Sequence, residues 1–187
     1  MKGFSRLMGV VMLTATLSAC SMVAPKYNTN FDNVDKLRSA KLEPVTVGAF
    51  ATGEKGDDVN RLTIRGSSYK SPNGSYTAYL QEAVRQELDD ARLLDPKSQV
   101  ELSGVLVRNE LDGSGISTGF AEIEARFVVK RDGKIRFDKV KTARHEWDSA
   151  FLGSIAIPRA QQNYPIVVQK LLASLYVDLE FLQALKK

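Results

Sequence analysis

The sequence contains one cysteine, Cys20, and one histidine, His145, among its 187 residues. A single cysteine excludes an intrachain disulfide, so the fold must be stabilised by its core. One histidine leaves mainly carboxylates to bind a metal, and the acidic pairs at positions 57–58 and 89–90 lack the spacing of a calcium loop. We therefore expect no metal site and no other cofactor.

The sequence also lacks an apolar run long enough to cross a membrane. Its longest such run near the start, residues 7–19, covers 13 positions, whereas a spanning helix needs about 20. Lys2 and Arg6 are the only charged residues before Lys26. A short apolar run after a basic start is typical of a secretory signal, which predicts that the chain is exported.

This signal ends in Leu17-Ser18-Ala19-Cys20, which resembles the lipobox of bacterial lipoproteins. The resemblance implies that Cys20 receives a diacylglyceryl group on its thiol, becomes the first residue after cleavage, and is acylated on its new amino group. Lipid chains on Cys20 would hold the protein on a membrane without spanning it. The next residue is Ser21 rather than Asp, which in enterobacterial-type lipoproteins implies the periplasmic face of the outer membrane. The alternative is an ordinary signal peptide with a chance cysteine.

These features predict three parts: a signal peptide at residues 1–19, a lipidated N-terminus and tether at residues 20–44, and a single domain at residues 45–187. The tether contains Pro25 and few periodic apolar positions. Its length of roughly 25 residues would reach about 80 Å if extended and nearer 28 Å as a coil. The net charge of +4 falls to +2 without Lys2 and Arg6. This ordinary charge and the export signal argue against nucleic acid as a partner.

Two hydrophobic periods alternate along the domain. Apolar residues at every second position predict strands, and a period of 3.6 predicts two amphipathic helices. We interpret residues 67–75 as a loop. The order β-β-α-β-β-β-α predicts an α+β two-layer sandwich, in which a mostly antiparallel sheet of about five strands carries both helices on one face. The predicted strands lie near residues 45–50, 61–66, 99–111, 119–129 and 134–147, and the helices at 75–92 and 158–185.

Local signals set the ends of these elements. Ser75 is a suitable N-cap for the first helix, and Asp132-Gly133 matches a two-residue hairpin turn with positive φ. In the second helix Pro158 fits the first turn, Pro165 predicts a kink or a restart, and Asp178 is placed to cap a short final helix.

The register of the last strand is ambiguous in the sequence. Continuing the alternation from Phe137 places Lys139 and Lys141 on the core face. A bulge, or a strand that extends beyond the core, would resolve this conflict.

The most basic stretch of the domain is residues 130–141. We predict Arg131, Lys134 and Arg136 as contacts for an anionic ligand or for lipid headgroups. The alternative is a solvated hairpin whose lysines protect a sheet edge from aggregation.

Three other features allow a functional and a structural interpretation. His145 lies beside Glu146 and near Ser149, but neighbours on a strand point to opposite faces, so we expect a structural histidine rather than a catalytic triad. The glycine-rich residues 113–119 open a strand, which favours a hairpin loop, with Ile116 near its tip, that could contact a partner. Tyrosines 69, 76 and 79 suit either recognition or packing.

Lipobox and element order together resemble small periplasmic accessory lipoproteins, such as those of the lipopolysaccharide-assembly translocon and of some envelope transporters. The resemblance implies a non-enzymatic accessory or scaffold subunit with an envelope protein as partner. The alternative is a lipid- or glycan-binding module that uses a groove between helices and sheet together with the basic hairpin.

Overall fold

The computed structural model describes residues 21–187. The predicted signal peptide and Cys20, the predicted site of lipid attachment, lie outside the described residues. The described chain is α+β in two layers, as predicted, with seven strands in two sheets and four α-helices.

The larger sheet has four strands in the order β2-β5-β6-β7. Strand β2 is parallel to β5, and the long strands β5, β6 and β7 are antiparallel to one another. One face of β6 is buried at alternate positions, as its alternating sequence predicts. The strands are β2 (Thr46–Thr52), β5 (Val100–Asp112), β6 (Thr118–Arg131) and β7 (Lys134–Asp148).

A smaller sheet has the order β1-β4-β3. Its strands are β1 (Ser21–Val23), β3 (Leu62–Ile64) and β4 (Ser67–Lys70). The predicted loop at residues 67–75 is therefore wrong over its first four residues. Arg65 and Gly66 both have positive φ, 50° and 79°, which makes a two-residue turn between β3 and β4. We missed this turn because arginine gives no signal for positive φ.

The α-helices of the described chain are α1 (Phe31–Ser39), α2 (Tyr76–Asp90), α3 (Gly153–Tyr176) and α4 (Leu179–Ala184). The last three cover the buried face of the larger sheet, and α1 packs on the outer side of α2 and α3. Ser75 caps α2 through a 3.0 Å bond from the Ala78 amide, as predicted. Asp178 caps α4, also as predicted. Helix α3 starts at Gly153, before the predicted start, so Pro158 and Pro165 both lie inside it.

Residues 21–44 differ most from the sequence-based expectation. The sequence predicts a tether, but Ser21–Val23 pair with β4 and Phe31–Ser39 form α1. Side chains of Ala24, Tyr27 and Leu37 are buried in the common core. The segment, which we call the strap, crosses α2 and α3 and ends where Glu43 pairs with Arg131. Its short apolar elements gave too little periodicity to be recognised.

The register of β7 keeps the alternation that made the sequence ambiguous. A bulge occurs at Arg136, because Phe137 pairs with Val129 while Ile135 pairs with Lys130. The residues after it keep one parity, so Lys139 and Lys141 do point to the helix side.

Their charge is neutralised there by the cap of α4. The Lys141 ammonium lies 2.5 Å from Asp178, and Lys139 lies 2.7 Å from Glu180. Partial burial opposes ionisation of Asp178, but bonds from Lys141 and from two backbone amides lower its pKa to about 2.

Candidate functional sites at the two ends of the sheet

The long strands give the molecule two distant ends. The β5–β6 loop, residues 113–117, lies at one end, and the β6–β7 turn at Asp132-Gly133 lies at the other. The 13 steps from Ile135 to Asp148 in β7 span about 40 Å at ~3.3 Å per residue. We call these the loop end and the hairpin end.

The described chain begins at the loop end. Ser21 pairs with Ser68, and the parallel pairing directs the start of β1 toward the turn at Arg65-Gly66. The Arg65 guanidinium donates to the carbonyl oxygens of Gly113 at 3.0 Å, Ala150 at 2.6 Å and Phe151 at 2.7 Å. This arginine therefore joins the β3–β4 turn, next to the strand that pairs with β1, to both loops of this end.

The hairpin end carries a polar groove of about 460 Å³. The β6–β7 hairpin forms one wall, and α4 with the C-terminus forms the other. We call it the basic groove, since four of its seven lining residues are cationic: Arg131, Arg136, Lys186 and Lys187, with Glu180, Gln183 and Ala184.

The three predicted contact residues differ in their surroundings. Arg131 lines the basic groove, but it pairs with Glu43 and donates to the Lys186 carbonyl at 2.7 Å. Arg136 lines the groove and, within residues 21–187, has no ion-pair partner. Lys134 is exposed beside the turn and does not line the groove. All three lie at the end opposite Ser21.

A buried carboxylate fixes the strap between these ends. Glu87 in α2 is fully buried. Its carboxylate accepts from the Tyr27 hydroxyl at 2.6 Å, the Asn30 amide at 3.2 Å and the Asn33 side chain at 3.2 Å. Burial raises the pKa of Glu87, and these donors oppose the rise only in part. Glu87 lies on the buried face of α2, and nothing in the sequence indicates that it contacts the strap.

His145 makes structural contacts with both ring nitrogens. Nε2 lies 2.8 Å from the Asn163 side-chain oxygen, and Nδ1 lies 2.9 Å from the Lys170 ammonium. A donating ammonium at Nδ1 assigns the proton to Nε2. Neither contact involves Ser149, whose buried hydroxyl has no partner in the described part of the chain.

The tyrosine cluster belongs to the core. Tyr69, Tyr76 and Tyr79 are each 1% exposed, and all three rings pack against Tyr164. Burial raises the pKa of each phenol. A recognition role for these tyrosines is therefore wrong.

The exposed apolar residues beyond β7 were missed by sequence reasoning. Phe151 and Leu152 precede α3, and Ile155 lies in its first turn. The sequence "AFLGSIAIP" carries these apolar residues without a polar alternation, which was the only signal.

Between Ser21 and Lys187, no helix has the length and hydropathy needed to cross a membrane. Over the same residues, no group of three potential ligands is placed to hold a metal ion.

No protein family model and no curated protein sequence matches the chain. Solved structures do resemble it. A Xanthomonas campestris protein of family DUF330 has a TM-score of 0.54 at 15% identity, over 82% of this chain and 92% of that one. A Caulobacter crescentus protein gives 0.42 at 16% identity, over 82% and 97%. A minor lipoprotein from Acinetobacter baumannii gives 0.43 at 10% identity, over 74% and 92%. The likeness to the Xanthomonas protein supports a shared fold.

Proposed function

We propose that this protein is a lipid-anchored, non-enzymatic subunit that serves as an accessory or scaffold in assembly or transport at the outer membrane. Cys20 would carry the lipids on the periplasmic face. The observation that supports this most is the position of Ser21, the residue after the lipobox, within strand β1. Because Ser21 is already paired with Ser68, no long tether separates the domain from the proposed attachment site, which suits a protein that holds a surface at a fixed height.

The basic groove is the surface that the anchored protein would present to its partner. It lies about 40 Å from the loop end along β7, where Arg136 and the terminal lysines face solvent. A positively charged surface favours a partner with an acidic patch, because complementary charge speeds and orients the encounter. His145 contacts Asn163 and Lys170 and not Ser149, so these residues do not assemble a catalytic triad.

In-cell photocrosslinking tests this proposal. A photoreactive amino acid replaces Gln183, an exposed uncharged residue that lines the basic groove, so that Arg136 stays in place. The matched control replaces Phe31, which is 82% exposed on α1. We expect one envelope protein to be captured from position 183, not from position 31, and to be lost when Cys20→Ala removes the lipids. Capture of no protein from position 183 would contradict the proposal.

The same groove also supports the second candidate, a lipid- or glycan-binding module. Its volume of about 460 Å³ lies within the usual range of small-molecule sites. A purified protein that retains an anionic lipid or sugar by native mass spectrometry, and loses it with Arg136→Ala, would favour this alternative over the scaffold.

A further inference from the structure

Four large apolar side chains are exposed at the loop end. Ile116 is 70% exposed, Phe151 73%, Leu152 58% and Ile155 41%. Ile116 lies in the β5–β6 loop, and the other three lie where β7 connects to α3. The two segments are neighbours, because the Ser149 amide donates to the Ser117 carbonyl at 2.7 Å. We call the four side chains the apolar edge.

The backbone of the apolar edge is braced by two arginines. Arg65 donates to the carbonyls of Ala150 and Phe151, and Arg159 donates to those of Asp148 and Ser149, both at 3.0 Å. Charged donors make the stronger hydrogen bonds of a protein. These bonds hold the backbone of residues 148–151 in place while Phe151 stays exposed to solvent.

Ser21, the first described residue, lies beside this edge. Ser21 pairs with Ser68, three residues from Arg65, or about 10 Å along a strand. Cys20 is bonded directly to Ser21, and the strap that follows is packed on the core, so there is no slack that would let the domain move away.

We infer that the apolar edge inserts into the interfacial layer of the bilayer that holds the lipids of Cys20. The inference rests on the proposed anchoring at that residue. Two separated attachments, the lipids and the apolar edge, fix the orientation of the domain, whereas lipids alone leave it free to rotate. Apolar side chains at this depth bind lipid in proportion to the area they bury.

The occupant of the apolar edge is lipid because of its position and its charge. The guanidinium groups of Arg65 and Arg159 donate to backbone carbonyls. Their two positive charges are balanced by the two carboxylates of Asp112 and Asp148 nearby. Insertion therefore depends on apolar area and is insensitive to salt.

Site-directed spin labelling tests the inference on the full lipidated chain. Phe151→Cys and Ile135→Cys are labelled, and the protein is reconstituted into vesicles of phosphatidylethanolamine and phosphatidylglycerol. Ile135 is the matched control, since it is 59% exposed at the hairpin end. Each variant has one free thiol when the thiol of Cys20, the only native cysteine, carries lipid. The measurement compares accessibility to oxygen with accessibility to a water-soluble nickel complex.

We expect reconstitution to shift the label at position 151 toward oxygen access, at low and at high salt, and to leave the label at 135 unchanged. Equal water access at both positions in protein whose mass confirms lipidation would overturn the insertion alone. Shielding of position 151 in native membranes but not in vesicles would overturn it in favour of a protein partner. Absence of the lipid mass would refute the anchoring itself, and the insertion with it.

Discussion

The two ends of the β5–β6–β7 sheet expose different chemistry. The loop end presents apolar side chains on a backbone braced by Arg65 and Arg159, and the hairpin end presents the basic groove around Arg136. Apolar contacts persist in salt, whereas contacts between exposed charges are screened. The strap runs from one end to the other, and Ala24, Tyr27, Val34 and Leu37 fix it to the common core along the way. One domain thus offers a lipid-compatible end and a charged end about 40 Å apart, so the same residues cannot serve both surfaces.

The largest expected effect comes from the residue that fixes the strap between the ends. Glu87→Ala removes the acceptor of Tyr27 and Asn33, which leaves the buried Tyr27 hydroxyl unpaired and leaves Asn33 only its bond to the Gln169 carbonyl. We expect the free energy of unfolding to fall by about 3–5 kcal/mol, measured by urea denaturation. The control is Glu87→Gln, which keeps an acceptor oxygen and should cost much less. Equal losses in the two variants would show that the hydrogen bonds do not fix the strap.

The same carboxylate predicts a dependence on pH. Burial raises the pKa of Glu87 in the folded state above its ordinary value of 4.5, so the folded chain binds the extra proton between these two values. Stability is therefore highest below pH 4.5 for this group and falls as the pH rises through the folded pKa. Glu87→Gln should remove this decline. If the free energy of unfolding, measured across that pH range, falls equally in wild type and in Glu87→Gln, then Glu87 is not the group responsible.

A smaller effect is expected from the brace of the loop end. Arg65→Ala removes three hydrogen bonds to the carbonyls of both loops, and we expect a loss of about 2 kcal/mol. A spin label at position 151 should become more mobile. The matched control is Arg61→Ala, just before β3, since the Arg61 side chain is 73% exposed and Asp58 is its ion-pair partner among the described residues. That change should alter stability by less than about 0.5 kcal/mol. If the label at position 151 is as immobile in Arg65→Ala as in wild type, the two loops keep their conformation without Arg65.

The sequence predicted the elements whose apolar period is long. Strand β6 alternates over its whole length and α2 keeps one stripe with Ser75 as its cap, so local pattern and tertiary contact agree there. The strap did not follow this rule. Its helix α1 has two buried apolar residues, Val34 and Leu37, and otherwise depends on Glu87, which lies far away in the sequence.

The candidate site was predicted less well than the fold, for a physical reason. The cations at positions 131, 134 and 136 were recognisable from composition, but their distance from Ser21 depends on strand pairing. The apolar edge is assembled from two separate segments, which the hydrogen bonds of Arg65, in a third segment, join. Contacts between segments so far apart in the sequence leave no local sequence pattern from which they could be predicted.

A third, smaller effect is expected midway between the ends. Asp178→Ala removes the cap of α4 and the partner of Lys141, and should cost about 1–2 kcal/mol. The folded pKa of about 2 lies below the ordinary value of 3.8. The contribution of Asp178 is therefore present above pH 3.8 and is lost as the pH falls through about 2.

Acid unfolding followed by circular dichroism checks this sign. Asp178→Asn keeps a capping oxygen and should retain part of the stability at pH 7, but it should lack the loss between pH 3.8 and 2. If wild type and Asp178→Asn unfold in parallel over that range, the ion pair with Lys141 adds no stability.

Changes at the hairpin end are expected to have the smallest effect on stability and the largest effect on binding of the proposed partner. Arg136 is exposed and makes no ion pair in the described chain, so Arg136→Ala should change the free energy of unfolding by less than about 0.5 kcal/mol. Capture of the envelope partner should nevertheless weaken, and the remaining binding should depend less on salt, because one screened charge is gone. Lys97→Ala is the matched control, as an exposed cation outside the basic groove. Equal capture by the two variants would mean that the groove is not the partner surface. Of the two ends, only the loop end with its apolar edge would then keep a proposed function.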